Sequence, residues 1–236
     1  MVKGLCLKNI FIALQVLLYG AFLTLDLLGE RITMSNSIKF AVVVLCFMYI
    51  AIRGYNKRSR EFIYLFSAML FTLISDIFIL LSDYYLYGVI TFIIAQQLYG
   101  ARITELFNPI SKLKDVCLRL LYQIALGILL CMLLNFLNVN TDALLTVSVF
   151  YFISICTNVV RSIKLSLHYS NKRGIRCFAV GFLLFLLCDI NVGLFNLSGF
   201  LSVGPVYDII YGISSILMWT FYAPSQVLIA LSVDTD

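Results

Sequence analysis

Two aspartates stand inside long apolar segments of the chain, where an unpaired charge is costly. Asp76 lies in the stretch LFTLISDIFIL, and Asp189 lies in LFLLCDINVGLF. If the two side chains face each other in a membrane, repulsion keeps one carboxyl protonated while the other stays ionised. A protonated and an ionised carboxyl together provide the acid and the base that acid/base catalysis needs. We therefore predict Asp76 and Asp189 as catalytic residues.

Further polar side chains recur at helical spacing in neighbouring apolar segments. The stretch TFIIAQQLYGAR places Gln96 and Tyr99 three residues apart, and WTFYAPSQVLIALS places Tyr222 and Gln226 four residues apart. The candidate substrate-binding residues are Gln96, Tyr99, Tyr222, Gln226, Asn191 and Ser75. The alternative is a structural role, in which the aspartates form interhelical hydrogen bonds with Asn191, Gln96 or Gln226.

The residues that precede each aspartate suggest which carboxyl is the acid. Ser75 comes directly before Asp76, and its hydroxyl could support a carboxylate. Cys188 comes before Asp189 in an otherwise apolar turn, which favours the neutral carboxyl. We therefore assign Asp189 as the acid. Asp83, seven residues after Asp76, is predicted to lie at a helix end in the outer interface without a role in activity.

Metal and nucleophilic chemistry receive little support from the sequence. The seven Cys are scattered without a C-x-x-C motif, and the one histidine, His168, lies in the basic segment KLSLHYSNKRG. A Ser-His-Asp or Cys-His arrangement would have no base inside the apolar segments. We expect no metal and no cofactor.

The elements that position these residues follow from the composition. Of 236 residues, 62% are hydrophobic and 12% charged, against about 25% charged in soluble domains. An apolar run needs roughly 20 residues to cross a bilayer. We predict an all-α integral membrane protein, a single transmembrane domain over residues 1–236. Its eight transmembrane helices are predicted at 9–29, 37–52, 61–82, 84–105, 116–137, 143–163, 174–196 and 209–232.

The distribution of basic residues predicts the orientation. With the N-terminus in the cytoplasm, only Arg31 and Lys39 of the 17 Lys and Arg lie outside. Both termini are therefore expected in the cytoplasm, and the cell membrane is the expected location. The net charge of +5 then sits at the inner headgroups, so membrane lipids and not nucleic acid are the expected partners.

A weak internal repeat relates the two halves of the chain. Asp76 and Asp189 each lie fifteen residues beyond the predicted cytoplasmic start of their helices, at Glu61 and Gly174. Both aspartates then stand roughly 22 Å across the membrane, at equal depth. Helices one to four and five to eight form a possible parallel 4+4 repeat. We expect the third and seventh helices to pack together with both carboxyls facing one cavity.

These segments together resemble the lysoplasmalogenase family (YhhN-like membrane proteins). The similarity is carried by the Ser-Asp helix with YGVITFIIAQQLYGAR, and by FAVGFLLFLLCDINVGLF with TFYAPSQVLIALS. It covers helices three, four, seven and eight well. The chain departs from the family pattern at Gln96, where the family often has His, and at Cys188, where it often has Ser.

The resemblance implies an eight-helix hydrolase that cleaves the vinyl ether bond of lysoplasmalogens to a fatty aldehyde and a glycerophospho-base. The substrate is then a lysophospholipid, and the family's catalytic aspartates correspond to Asp76 and Asp189. Two other functions remain open from the sequence. One is a small proton-coupled transporter, because parallel repeats with polar residues at depth also occur in transporters. The other is a lipid-binding membrane protein in which both aspartates are structural.

Overall fold

The computed structural model describes residues 2–29, 32–55, 59–107, 112–137, 139, 141–199, 204 and 206–234. This part of the chain is helical with short turns and contains no strand, which confirms the all-α prediction. Its α-helices are α1 (Val2–Leu28), α2 (Ile32–Gly54), α3 (Arg60–Asp76), α4 (Tyr85–Phe107), α5 (Lys112–Phe136), α6 (Ala143–His168), α7 (Arg173–Phe195) and α8 (Tyr207–Leu231). A π-helical turn, Ile77–Leu81, follows α3, and a 3-10 turn, Leu197–Gly199, follows α7.

Each of the eight predicted segments forms a helix, and within the described residues seven of these helices are long and apolar enough to cross a membrane. The remaining helix, α4, carries Gln96, Gln97, Arg102 and Glu105 within its 23 residues. A helix with so many polar groups is expensive next to lipid but is tolerated where protein surrounds it. α4 packs against α3, α5 and α6, and it buries Gln96 and Arg102.

Six helices pack in a closed ring, in the order α2, α3, α4, α6, α7 and α8. α1 lies outside this ring against α2 and α8, and α5 lies outside it against α4 and α6. α3 and α7 are opposite each other, and no Cα atoms of the two helices come within 8 Å. The prediction that the third and seventh helices pack together is therefore wrong. Bulky side chains from α4, α7 and α8 fill the space between them.

A buried arginine closes one end of the ring. We call this the basic end: it is the end at which α3 and α7 begin and α4 and α8 finish. Arg102 of α4 is 1% exposed, and its Nη2 lies 2.8 Å from Glu61 Oε1 at the start of α3. Its Nη1 donates to Ser232 Oγ at 2.6 Å, directly after α8. One guanidinium therefore joins three helices of the ring.

Replacing Arg102 with Met is expected to destabilise the fold by about 3 kcal/mol, because it leaves Glu61 as an unpaired charge in a largely buried position. Thermal unfolding of the purified protein in detergent measures this change. Arg176→Met is the matched control, because Arg176 is exposed in the first turn of α7. Equal unfolding temperatures for the two variants would contradict the stabilising role of Arg102.

At the opposite end, polar groups on α1, α2 and α8 satisfy one another. Lys39, counted above as an outer cation, is buried in α2 and lies 2.9 Å from Asp26 of α1, with the Trp219 ring 4.8 Å away. Pro224 lacks an N–H and so frees the carbonyl of Thr220 four residues earlier. Tyr19 of α1 donates to that carbonyl at 3.2 Å. Arg31, the second outer cation, lies outside the described residues.

Candidate active site

Asp76 is the last residue of α3, at the point where the α-helix gives way to the π-helical turn. Such turns occur frequently at functional sites because they redirect side chains. Asp76 is 3% exposed, and its carboxyl faces the interior of the ring. The Tyr222 hydroxyl, on α8, lies 2.9 Å from Oδ1 and 2.8 Å from Oδ2. This hydroxyl donates to the carboxyl across the ring, since α3 and α8 are not neighbours in it.

Asp189 occupies the equivalent place in α7. It stands as many residues after Arg173 as Asp76 stands after Arg60, so the two carboxyls lie at the same depth from the basic end. The Tyr151 hydroxyl of α6 donates to Asp189 Oδ2 at 2.7 Å. Asp189 is half-buried, whereas Tyr151 is buried. Each aspartate is therefore held by its own tyrosine from another helix.

Four aromatic side chains occupy the space between the two carboxyls. We call them the aromatic cluster: they are Phe92, Tyr151, Phe185 and Tyr222. Ring centroids lie 5.7 Å apart for Phe92 and Tyr151, and 5.5 Å apart for Phe185 and Tyr222. Phe92 joins the two pairs, with its ring 5.8 Å from that of Phe185. The carboxyls thus contact opposite sides of one aromatic cluster and are not hydrogen-bonded to each other.

The two candidates on α4 differ in their distance from the carboxyls. Gln96 is fully buried beside Tyr151, and it accepts a hydrogen bond from Asn158 Nδ2 at 2.9 Å. Its own Nε2 makes no hydrogen bond among the described residues. Tyr99 lies one turn nearer the basic end, with its hydroxyl 3.5 Å from Thr72 and its ring 5.2 Å from that of Phe182. Gln96 therefore belongs to the Asp189 side of the site, and Tyr99 lies one turn below it.

The remaining candidates have local partners. Ser75 donates to the backbone carbonyl of Gly88 at 2.6 Å and so joins α3 to α4. Because a hydroxyl has one proton, Ser75 does not also support the Asp76 carboxylate, and that part of the sequence argument is wrong. Asn191 donates to the Leu187 carbonyl of its own helix at 2.7 Å. Gln226 donates to Ser225 Oγ at 3.2 Å, while its Oε1 is buried and has no hydrogen bond to any described residue.

Two residues of the site were missed from the sequence, Tyr151 and Asn158, both on α6. They stand seven residues apart, so they lie on the same face of the helix, with Ser154 between them. α6 has no acidic residue, so its sequence contains no intramembrane charge that would mark it as part of a site. Polar side chains at this spacing in an apolar helix are the sequence pattern that identifies this face.

The described residues contain no group of three or more His, Cys, Asp and Glu side chains that could hold a metal ion. Cys188 is buried next to Asp189 and lies within electrostatic range of both carboxyls. The chemistry available at the site is therefore that of two carboxyls, two tyrosine hydroxyls and one thiol.

Comparison with known proteins gives one match. The model of the YhhN family matches residues 35–233. The matched region begins in α2 and continues past the end of α8, so it contains both aspartates and the aromatic cluster. No match was found among curated proteins or among solved structures.

Proposed function

We propose, because the chain belongs to the YhhN family, that it is an intramembrane hydrolase of the vinyl ether bond of lysoplasmalogens. The products are a fatty aldehyde and a glycerophospho-base. One observation carries the proposal. Two carboxyls stand at equal depth in a ring of helices, and each is hydrogen-bonded to a tyrosine of the aromatic cluster between them. Such a site is suited to acid/base chemistry on a lipid.

The first step is protonation of the vinyl ether at carbon. The acid transfers its proton to the alkene carbon that does not carry the oxygen, and the adjoining carbon becomes an oxocarbenium ion. We assign Asp189 as this acid, because Tyr151 donates only to Oδ2 and leaves Oδ1 available to the substrate. Tyr222 lies within hydrogen-bond distance of both oxygens of Asp76, which supports Asp76 as the ionised carboxylate. Tyr222 thus has the role that the sequence argument gave to Ser75.

The second step is the capture of the cation by water. The Asp76 carboxylate accepts a proton from the water that attacks the oxocarbenium carbon, which gives a hemiacetal. The hemiacetal then collapses: Asp76 returns its proton to the glycerol oxygen as that C–O bond breaks, and the Asp189 carboxylate takes the proton of the hemiacetal hydroxyl as the aldehyde forms. The faces of the aromatic rings stabilise the cation. The reaction consumes one water and regenerates both aspartates, much as paired carboxylates do in glycoside hydrolysis.

We infer that the two halves of the chain are parallel repeats. Each packing pair of the first half has its counterpart in the second: α3 with α4 and α7 with α8, α2 with α3 and α6 with α7. The buried positions of α3 also correspond to buried positions of α7 at a constant offset. The pairs are Leu65 and Phe178, Ala68 and Gly181, Met69 and Phe182, Thr72 and Phe185, and Ser75 and Cys188. This correspondence supports a common origin for the two aspartate helices.

A proton-coupled transporter is the second candidate function, and the same repeat favours it. The two functions differ in what they need. A hydrolase releases aldehyde in detergent, whereas transport requires a sealed compartment.

We also propose that both termini lie in the cytoplasm and that α4 is an eighth transmembrane helix, in the cell membrane.

Release of aldehyde from a lysoplasmalogen by the purified protein in detergent tests the proposed function. The matched control substrate is the alkyl lysolipid, whose saturated ether has no double bond to protonate. We expect aldehyde from the vinyl ether and none from the saturated ether. If proteoliposomes take up the lysoplasmalogen in response to a proton gradient and no aldehyde is released, the transporter is favoured.

Asp83→Asn is expected to leave the rate of aldehyde release nearly unchanged. Asp83 is exposed in the turn before α4, with φ of 55°, and its Oδ1 lies 3.2 Å from the Tyr85 hydroxyl. Its predicted place at a helix end is confirmed. Steady-state kinetics of the purified variant measures the effect. A loss as large as that of Asp76→Asn would mean that the wrong carboxyl has been assigned.

A further inference from the structure

Arg119 of α5 is a buried cation without a counter-ion among the described residues. It is 8% exposed, and its Nη2 donates to the backbone carbonyl and the side-chain oxygen of Gln97, at 3.1 Å and 3.0 Å. Its Nε and Nη1 make no hydrogen bond in the described part of the chain, and no described carboxylate lies within 4 Å. Burying a cation unpaired is costly, so a ligand anion that reached these two buried nitrogens would be stabilised by them.

A second arginine lies beside it. Arg161 of α6 is half-buried and close enough to Arg119 for their charges to repel. It donates to the Gly100 carbonyl at 3.2 Å and to Thr104 Oγ1 at 2.7 Å. Asp115 lies within electrostatic range of Arg161. In the described part of the chain, one carboxylate near two guanidinium groups leaves the arginine pair, Arg119 and Arg161, with a net positive charge.

Gly100 of α4 makes room for this pair. A Cβ at this position would overlap the guanidinium of Arg119, whose Nη1 lies against the glycine. Asn158 Oδ1 is also close to this point and is buried without a hydrogen bond in the described residues. Two helices, α5 and α6, therefore bring unsatisfied polar groups together against Gly100 of α4, beneath Gln96 and Tyr151.

An apolar groove between α5 and α6 leads to the same place. It has a volume of about 400 Å³, and Arg161 lies at one end of it. The lining includes Leu126, Leu130, Phe152 and Val160. Phe152 and Val160 are exposed on the outer surface of the helix bundle, so the groove faces lipid. From Phe152 to Arg161 is about 14 Å along α6, close to half of the roughly 30 Å hydrocarbon core.

We propose that the arginine pair binds the phosphate of a single-chain phospholipid whose alkyl chain lies in the α5–α6 groove. Guanidinium groups suit phosphate because their planar N–H donors match its oxygens. Arg161 supplies N–H donors at the end of the groove, and Arg119 behind it adds positive charge and two unpaired donors. The groove supplies an apolar surface about 14 Å long for the alkyl chain. The binding site does not depend on hydrolysis. As the place of the substrate's phosphate, however, it rests on the proposed function.

The groove also runs toward the candidate active site. Cys156 lines the groove and lies within electrostatic range of Asp189. Tyr151, which donates a hydrogen bond to Asp189, lies about 15 Å from Arg161 along α6, in the direction away from the basic end. A lipid in the groove would therefore lie on the Asp189 side of the candidate active site.

Equilibrium binding of a radiolabelled alkyl lysophosphatidylethanolamine to the full chain in nonionic detergent tests this site. Its saturated ether prevents turnover. We expect Arg119→Gln and Arg161→Gln each to weaken binding about tenfold, the effect of losing a charge-assisted hydrogen bond. Val160→Trp should weaken it too, because the indole fills the groove. Arg176→Gln is the matched control, because Arg176 is exposed on α7, and it should bind as the wild type does.

The second arm identifies the ligand chemistry. The matching alkylglycerol, which has no phosphate, is expected to bind at least about tenfold more weakly. Inorganic phosphate that binds as tightly as the lipid would overturn the proposal that the ligand is a lipid. Unchanged lipid binding by Arg161→Gln would overturn the proposal that the arginine pair binds its phosphate. Because Arg161 is half-buried, that variant decides the question even if Arg119→Gln fails to fold. Normal binding without aldehyde release would sink the proposed function alone, whereas aldehyde release with unaffected arginine variants would overturn only the phosphate site.

Discussion

Asp76→Asn and Asp189→Asn are each expected to lower the rate of vinyl ether hydrolysis at least about a hundredfold, the scale of a positioned acid or base. Asparagine keeps the shape of the side chain but has no proton to give at pH 7 and is a poor base. Each variant therefore removes one of the two complementary states. Initial rates of aldehyde release with saturating substrate measure the loss, and Asp83→Asn is the control for an acidic residue outside the ring interior.

The double variant sharpens this prediction. It should be little slower than either single variant, because groups that act as one unit are not additive. The pH–rate profile of the wild type should be bell-shaped, because the base must be ionised and the acid must be protonated. Full activity of a folded Asp189→Asn protein would contradict both the assignment of the acid and the mechanism.

Tyr222→Phe is expected to lower the rate about tenfold or more, because it removes a hydrogen bond to a charged carboxylate and leaves the ring in place. Tyr222 acts through Asp76 and is therefore a positioning residue. Kinetics of the purified variant measure the loss, with Tyr211→Phe as the control. Tyr211 is on the same helix, half-exposed, and its ring stacks on Phe195 at 4.3 Å.

The pH–rate profile separates this role from a purely structural one. Without the tyrosine donor the base is harder to ionise, so the rising limb of the profile should move to higher pH in Tyr222→Phe. In Tyr151→Phe the acid, Asp189, should keep its proton to higher pH, so in this variant the falling limb of the profile should move to higher pH. The opposite assignment of limbs would mean that Asp76 is the acid. Slower rates with an unchanged profile would show that the hydroxyls only stabilise the fold.

The sequence predicted the helices well, because a bilayer demands long apolar runs and such runs are visible without an alignment. Equal depth of Asp76 and Asp189 followed from counting residues along two helices with the same direction. The ring could not be derived in this way, since the order of helices depends on which side chains pack across several helices at once. Phe92 and Phe185 look like ordinary apolar content in the sequence, yet together with Tyr222 they keep α3 and α7 apart.

The hydrogen-bond partners of the two aspartates were predicted less well than the positions of the aspartates along their helices. Ser75 was given to Asp76 because the two are adjacent in the chain, but its hydroxyl bonds the Gly88 carbonyl of the neighbouring helix. Asp189 finds Tyr151, 38 residues away, and Asp76 finds Tyr222, 146 residues away. Adjacent residues on a helix point in different directions, so such partners come from other helices.

One measurement tests most directly whether hydrolysis proceeds through protonation of the vinyl ether carbon. It is mass analysis of the aldehyde that the purified protein releases from a lysoplasmalogen in D₂O. Protonation of the vinyl ether places a solvent-derived hydrogen on the carbon next to the carbonyl. We predict an aldehyde that carries one deuterium at this carbon, formed by the wild type and not by the Asp76→Asn, Asp189→Asn double variant. Folded wild-type protein that forms no aldehyde, or forms it as fast after both substitutions, would contradict the account.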